Sequence, residues 1–283
     1  MKVTVASVVF WEALAFFDDF VISLQKQDCQ EFDVLLINDN IPMDVLADRL
    51  KIYKKSFADR LHIVDKSTYK LLPYELRIEL LFEALAGGTE LLILLDCDDM
   101  AKSNRISEVM KQYDEKYDFY YNDLFLLNGM NAMPRLPEIT DKIECLLECN
   151  YLGFTNCAIN MKHIKEEFIE SLKEGTTEIF DWYLFSRMLL AGMTGKHIGN
   201  TGTYYRIYVN NIAGISKCTI SELEKERHIK LKHYGMLKKY DGRYRELIEK
   251  YENPDICRCR IGSDTNAYFW WGMLEHSRKL NRE

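Results

Sequence analysis

The run Glu90-Leu91-Leu92-Ile93-Leu94-Leu95 offers almost no polar face and stops abruptly in Asp96-Cys97-Asp98-Asp99. A strand with apolar residues at consecutive positions must be covered on both sides. That is the habit of parallel sheets flanked by helices, not of half-solvated antiparallel ones. The carboxylates that follow cannot enter such a core, so the strand has to end at an edge where charge is tolerated. Like charges about 4 Å apart also repel by several kcal/mol at intermediate dielectric unless a cation or a proton intervenes. Oxygen-rich positions of this kind suit Mg2+ or Mn2+, so a divalent metal is expected at this turn. A plainer reading has Asp99 cap a helix starting near Ser103 while the other carboxylates are solvated. Capping, however, requires neither Asp96 nor Asp98.

The hundred residues before this turn alternate strand and helix signals. Val3 to Phe10 is a β-branched, strand-like run, and Ala15 to Gln27 places Phe16, Phe20, Val21 and Leu24 at helical spacing. The apolar run Phe32 to Ile37 ends in Asn38-Asp39-Asn40. A helix around Met43 to Tyr53 precedes a short strand, Leu61 to Val64, and Tyr74 to Ala86 is again helical, with Gly87-Gly88 as its stop. This order predicts an α/β fold: a Rossmann-like, mostly parallel sheet flanked by helices. Ligands of such sheets bind beyond the carboxyl ends of the strands, where Phe10-Trp11-Glu12, Asn38-Asp39-Asn40 and Asp96 to Asp99 all fall. Further on, Phe119 to Tyr121 is strand-like and Ile139 to Glu148 suits a helix. Gly153-Phe154-Thr155-Asn156 is a polar stretch before Cys157-Ala158-Ile159, and Phe180 to Leu190 is an amphipathic helix with Asp181 in its first turn. Beyond Ser216 the chain reads as helical and lysine-rich. The expected division is therefore a catalytic domain over 1–215 and a mostly helical C-terminal extension over 216–283.

Bulk properties exclude several classes. With 283 residues, 47% hydrophobic and 29% charged, the chain can bury a real core, and only 5 prolines and 14 glycines argue against long linkers. A net charge of −7 gives no reason to expect a nucleic-acid partner. The 8 cysteines include no Cys-x-x-Cys pair and read as reduced, buried thiols. The six histidines show no ligand spacing. Met1-Lys2 leads into a strand rather than a signal peptide, and no run approaches the length of a membrane span, so a cytoplasmic protein is expected, at most peripheral at the inner face of a membrane.

An apolar strand followed by Asp-x-Asp also opens haloacid-dehalogenase-type phosphatases, but there it lies near the N-terminus and carries Thr or Val after the second Asp. A larger set of segments points elsewhere. Val8-Val9-Phe10-Trp11-Glu12, Ser23-Leu24-Gln25-Lys26-Gln27, Asp33 to Asn40, Leu94 to Asp99, and Phe180-Asp181-Trp182-Tyr183-Leu184-Phe185-Ser186-Arg187 through Gly192 follow in order, with Tyr204-Tyr205-Arg206 after them. Together they resemble the family 2 glycosyltransferases, over roughly residues 3 to 211. Leu95-Asp96-Cys97-Asp98-Asp99 is similar to that family's Leu-Asp-x-Asp-Asp. Phe180 to Gly192 is similar to its Glu-Asp-x-x-Leu-x-x-Arg block. The departures are Glu12 for Asn, Asn38 for the first Asp of an Asp-Asp pair, Asn40 for Gly, Arg77-Ile78 for Arg-Asn, and Tyr208 for His.

The resemblance implies a GT-A fold and transfer of a sugar from a nucleotide-diphosphate sugar, a UDP-sugar above all, to an acceptor hydroxyl with inversion. It implies that Asp39 meets the base edge, Asp96 the ribose hydroxyls, and Asp98 then Asp99 the divalent metal, Mn2+ or Mg2+. Asp181 is the implied catalytic base. Phe10, Trp11, Glu12, Arg77 and Arg206 are expected on the donor side, and Thr155, Asn156 and Trp182 on the acceptor side. Each has a structural counterpart: core packing for the aromatics, a turn or cap for Thr155 and Asn156, a helix N-terminal carboxylate for Asp181. The altered donor-side residues leave a non-catalytic nucleotide-sugar-binding or assembly protein as the alternative.

From Lys217 to Lys250 there are ten Lys/Arg against six Asp/Glu, and Tyr268 to Leu274 is strongly apolar. Basic helices beside an aromatic cluster suit peripheral contact with an anionic membrane carrying a lipid-linked acceptor, as opposed to a saccharide in solution. The simpler reading packs the aromatics onto the catalytic domain or onto a second copy in a homodimer.

Overall fold

The structure is a computed structural model and describes residues 1–51, 53–133, 135–207 and 220–253. Tyr208, the Cys257 and Cys259 pair and the aromatic cluster at 268–274 lie outside the described residues. In chain order the first half comprises β1 (Val3–Phe10), α1 (Phe17–Gln25), β2 (Asp33–Asp39), α2 (Met43–Lys51), α3 (Lys54–Phe57), β3 (Leu61–Asp65), α4 (Pro73–Ala86) and β4 (Leu91–Leu94). The second half comprises β5 (Met100–Ala101), α5 (Arg105–Gln112), β6 (Phe119–Leu126), β7 (Ile139–Thr140), β8 (Cys157–Asn160), α6 (Glu166–Ser171), α7 (Phe180–Leu190), β9 (Gly195–Tyr205), α8 (Ile220–Leu237) and α9 (Arg243–Glu252).

One sheet holds all the strands in the order β3-β2-β1-β4-β8-β6-β9-β5, with β7 also on β9. The first four run parallel, as the alternation of strand and helix predicts. Beyond β4 the sheet turns mixed, because β8 is antiparallel to both β4 and β6 while β6 and β9 run parallel. Consecutive β4 residues go to opposite cores: Leu91 and Ile93 meet α1, α2 and α5, and Leu92 and Leu94 meet α4 and α7. Fully burying each such side chain contributes about 2 kcal/mol, which explains why the run tolerates no polar residue. Register then places Phe10 beside Asp39 and Asn38 beside Asp65, so the carboxyl ends of β1, β2 and β3 share one edge.

The helix expected over Ile139 to Glu148 does not form. Instead, β7 pairs with β9 and a 3₁₀ turn covers Ile143–Leu146. Two tertiary contacts override the local pattern. The Thr140 hydroxyl sits between the Tyr121 and Tyr151 hydroxyls. The Leu146 carbonyl, which a helix would offer to residue 150, accepts the Trp182 indole N–H at 2.7 Å.

The helices α8 and α9 form a hairpin whose Tyr234, Leu237, Tyr244, Leu247 and Tyr251 join the same core as Trp182, Phe185 and Met188 of α7. Its cations pair with carboxylates of the preceding chain: Lys232 with Glu178, Lys239 with Glu174, Arg243 with Glu144, and Lys250 with Glu148 at 2.6 Å. Four cations of the basic stretch are thus paired across the contact between the hairpin and the preceding chain. Among the described residues no helix is long and apolar enough to cross a membrane. The His233 ring stacks on Trp182 with centroids 3.9 Å apart, and neither of its nitrogens has a hydrogen-bond partner among the described residues.

Burial pushes the His233 imidazole pKa down to about 3. In the unfolded chain the same group titrates near 6.5. As pH falls from about 6.5 toward 3, the unfolded state therefore takes up a proton that the folded state refuses. Stability is lost in that direction, by about 2 kcal/mol between pH 6.5 and 5. Urea unfolding of wild type and His233→Phe should diverge by that amount over this interval, and parallel curves would refute the assignment.

Candidate active site

The β4 ladder ends at Leu94, and the Asp99 N–H closes the following turn on the Asp96 carbonyl at 3.1 Å. From the neighbouring turn, Thr155 Oγ1 accepts the Asp96 N–H at 3.4 Å. The Asp96 carboxylate meets Arg77 of α4 at 3.2 Å. Asp99 is only 1% exposed, and its Oδ1 accepts the Arg206 backbone N–H at 2.8 Å. Asp99 caps no helix: α5 starts at Arg105, and Asn104 in the flanking position makes no side-chain cap bond. Arg206 fastens the turn further. Its Nε donates to the Asp98 carbonyl at 2.9 Å, its Nη2 reaches Asp19 of α1 at 2.7 Å, and its guanidinium lies 4.4 Å from the Phe16 ring centroid. In this arrangement Arg206 faces α1 as well as the turn.

Burial, then the charges of Asp98 and Asp96, push the Asp99 carboxyl well above its ordinary range, against the Arg206 N–H and the nearby Thr155 hydroxyl. Its Oδ2 is buried without a hydrogen-bond partner among the described residues. Among the described residues no three His, Cys, Asp or Glu side chains group to hold a metal by themselves. An orphaned carboxylate oxygen beside the half-buried Asp98 fits a hard divalent cation of the kind that takes one or two carboxylates and completes its shell with substrate phosphates.

On the other side of β1, Asp39 ends β2 next to Phe10, and burial followed by the Glu12 charge raises its pKa. Trp11 is 55% exposed on the 3₁₀ turn that leaves β1, and Phe10 is half-buried against the core. Asn38 is fully buried, with its amide donating to the Ile41 carbonyl at 2.8 Å and to Asp65 at 3.0 Å. An aspartate there would face Asp65 charge to charge, which accounts for the amide. Asn40 has a φ of 60°, a left-handed conformation that asparagine tolerates better than most side chains.

The third part is the turn before β8. Gly153 allows a close approach: a Cβ there would lie 3.0 Å from Asn156 Oδ1, which accepts the Gly153 N–H at 2.8 Å. The Phe154 N–H donates to Asp181 Oδ2 at 3.3 Å, and the Phe154 ring carries Arg77 on its face at 4.6 Å. Arg77 therefore stands between Asp96 and Asp181. Burial raises the Asp181 pKa, while the Arg77 charge and the Trp182 and Phe154 N–H groups oppose the rise.

The expected acceptor contacts need correction. Asn156 is fully buried, with its amide donating to the Asn122 and Tyr151 carbonyls. Trp182 is 0% exposed beneath His233. Thr155 is also buried, under Asp96. Asn156 and Thr155 shape the turn from within, Trp182 packs between α7 and α8, and all three are buried.

No protein-family profile and no curated protein matches the sequence. Solved structures do match. TarS 1-349 of S. aureus superposes with a TM-score of 0.60 at 15% identity, over 93% of this chain and 74% of that one. The mannosyltransferase PcManGT of Pyrobaculum calidifontis, solved with GDP-Man and Mn2+, gives 0.57 at 12% identity over 100% and 81%. GalNAc-T7, solved with UDP, GalNAc and Mn2+, gives 0.53 at 13% identity over 100% and 57%. The chain has a GT-A-like glycosyltransferase fold. Within the GT-A frame, the edge formed by β1, β2 and β4 carries Trp11, Asp39 and the aspartate turn, and Arg77 links that turn to Asp181.

Sequence reading passed over Phe154, which seats Arg77, and Asp19, which holds Arg206. Neither had a local signal, since each matters only through a partner far along the chain. Removing the Arg77 charge takes away what holds Asp181 down. In Arg77→Met the Asp181 carboxyl should titrate at higher pH than in wild type, followed by carbon-13 NMR of the carboxyl. A midpoint that stays or falls would show that Arg77 does not govern it.

Proposed function

We propose that this chain is a glycosyltransferase that moves a sugar from a nucleotide-diphosphate sugar, UDP-linked in the first instance, to an acceptor hydroxyl with inversion at the anomeric carbon. The observation that carries this reading is the line Asp96–Arg77–Phe154–Asp181, which joins a donor-side carboxylate to a partly exposed carboxylate whose pKa burial has raised. TarS has also been solved with UDP-GlcNAc, and PcManGT with GDP-Man, which supports a nucleotide sugar as the ligand of this edge.

Trp11 stacks on the base and Asp39 accepts its N–H, as an exposed indole beside a carboxylate can. Asp96 receives the ribose hydroxyls. Asp98 and Asp99 would hold Mn2+ or Mg2+, which would supply positive charge for the leaving diphosphate. Asp181 takes the acceptor proton as the new C1–O bond forms on one face of the sugar and the bond to phosphate breaks on the other, the electron pair leaving with the nucleoside diphosphate. A raised carboxylate pKa favours that step, because a base closer to the working pH takes the proton more readily. The acceptor is a saccharide or a lipid-linked hydroxyl, in the synthesis of a polysaccharide or glycolipid.

A panel of nucleotide diphosphates and their sugars, screened with and without Mn2+ by thermal shift and by release of free nucleotide, tests the reading. Turnover should fall about 10²–10⁴-fold in Asp181→Asn with nucleotide affinity retained. Trp11→Ala should weaken nucleotide binding about tenfold. Binding without turnover would leave a nucleotide-sugar-binding protein, and silence across the panel would remove the proposal.

A further inference from the structure

Arg105, the first residue of α5, is 1% exposed and is among the largest fully buried side chains of the fold. A cation at a helix N-terminus opposes the helix dipole, and a buried one loses its hydration, so its position asks for a cause. Its Nη2 donates to the Leu94 carbonyl at 2.7 Å and to the Cys157 carbonyl at 3.4 Å. Its Nε and Nη1 have no hydrogen-bond partner among the described residues. The antiparallel pairing of β4 with β8 ends at Ile93 opposite Ala158. The next residues in each direction are Leu94 and Cys157. Arg105 therefore bonds the two carbonyls at which the strands part, where one strand leaves for the Asp96–Asp99 turn and the other arrives from the Gly153–Asn156 turn.

Charge acts in the same place. Asp99 and Asp96 are the carboxylates whose field reaches this guanidinium, which remains charged at neutral pH although burial lowers its pKa to about 10. Arg77 neutralises Asp96 from the solvent side and Arg206 grips Asp99 from the end of β9, while Arg105 lies behind both from inside the fold.

We propose that Arg105 is a positioning residue of the donor site, a buried counter-cation that pins the fork between the aspartate turn and the Thr155 turn and lends its charge to a nucleotide diphosphate bound there. The second half of this statement rests on the glycosyltransferase reading, and the first half does not. An arginine suits both tasks, since its planar head can serve two carbonyls while keeping its charge.

Hydrogen–deuterium exchange of the nucleotide-free full chain separates the two. R105M should raise exchange about tenfold at the amides of Leu95–Asp99 and Phe154–Ala158, as expected when a charged hydrogen bond is lost, and leave α8 and α9 unchanged. R105K keeps the charge but cannot span both carbonyls, so it should raise exchange at the same two turns. It also carries this arm if R105M does not fold. UDP and GDP, titrated without divalent ion, should bind about tenfold more weakly to R105M and close to normally to R105K. Exchange that is unchanged, or raised evenly through the molecule, overturns the fork. Equal nucleotide affinity in R105M and wild type overturns the counter-charge. If the exchange arm succeeds while the wild-type chain binds no nucleotide either without or with Mn2+, the fork stands and the glycosyltransferase reading falls.

Discussion

A strand buried on both faces can carry charge only at its end, and β4 carries three carboxylates in the four residues that open the turn after Leu95. Everything around that turn answers the resulting crowding. Arg77 comes from α4, Arg105 from α5 and Arg206 from the end of β9, so elements far apart in sequence converge on one short segment. Two of the three arginines meet backbone carbonyls of the turn or its root, and Arg206 also gives its N–H to a carboxylate. Geometry and charge are fixed together: the bonds that shape the turn bring the cations that make it tolerable. What remains unanswered is Asp99 Oδ2, buried and without a hydrogen bond among the described residues, where added positive charge would be felt.

The α8–α9 hairpin bears on the same site from the opposite side. Its surface ion pairs contribute little to stability, being screened by water and salt. The weight falls on the aromatic layer, where Trp182 stacks on His233 and Tyr234 meets Trp182 edge-on and Tyr244 and Tyr251 at a tilt. Trp182 follows Asp181 directly, and its indole N–H is held by the Leu146 carbonyl while its face is held by His233. The first turn of α7 is thereby anchored by packing, while the Asp181 carboxylate itself is held by the Phe154 N–H.

These dependencies separate what the sequence made legible from what it did not. The four parallel strands and their helices could be read because each declares itself within a dozen residues, through apolar runs for strands and a period near 3.6 for helices. The aspartate turn was legible for the same reason. The segment from Ile139 to Glu148 misled because its helical pattern is real but is outvoted by Tyr121, Tyr151 and Trp182, none of them local. Trp182 and Asn156 look like ligand contacts when a motif is laid out flat, and prove to be supports once the chain is folded. Arg105 did leave a trace, a cation in the first turn of a helix where a carboxylate belongs. Its meaning required knowing that β4 and β8 part beside it.

The donor edge can be taken one step further on the chemistry of Asn38. An acid at that position would lie against Asp65, so the amide there serves the β2–β3 edge, donating to Asp65 and to the Ile41 carbonyl. In the proposed reading, base recognition at this edge is then left to Asp39, with the exposed Trp11 for stacking. An ionised carboxylate only accepts hydrogen bonds, so it selects bases that present N–H donors. Uracil does so through one ring N–H, and guanine through a ring N–H and an amino group together. In the proposed reading the single carboxylate separates donors by the number of N–H groups they can aim at it. Asp39 is half-buried, so a base seated there in the proposed reading would replace part of the water that its carboxylate still meets.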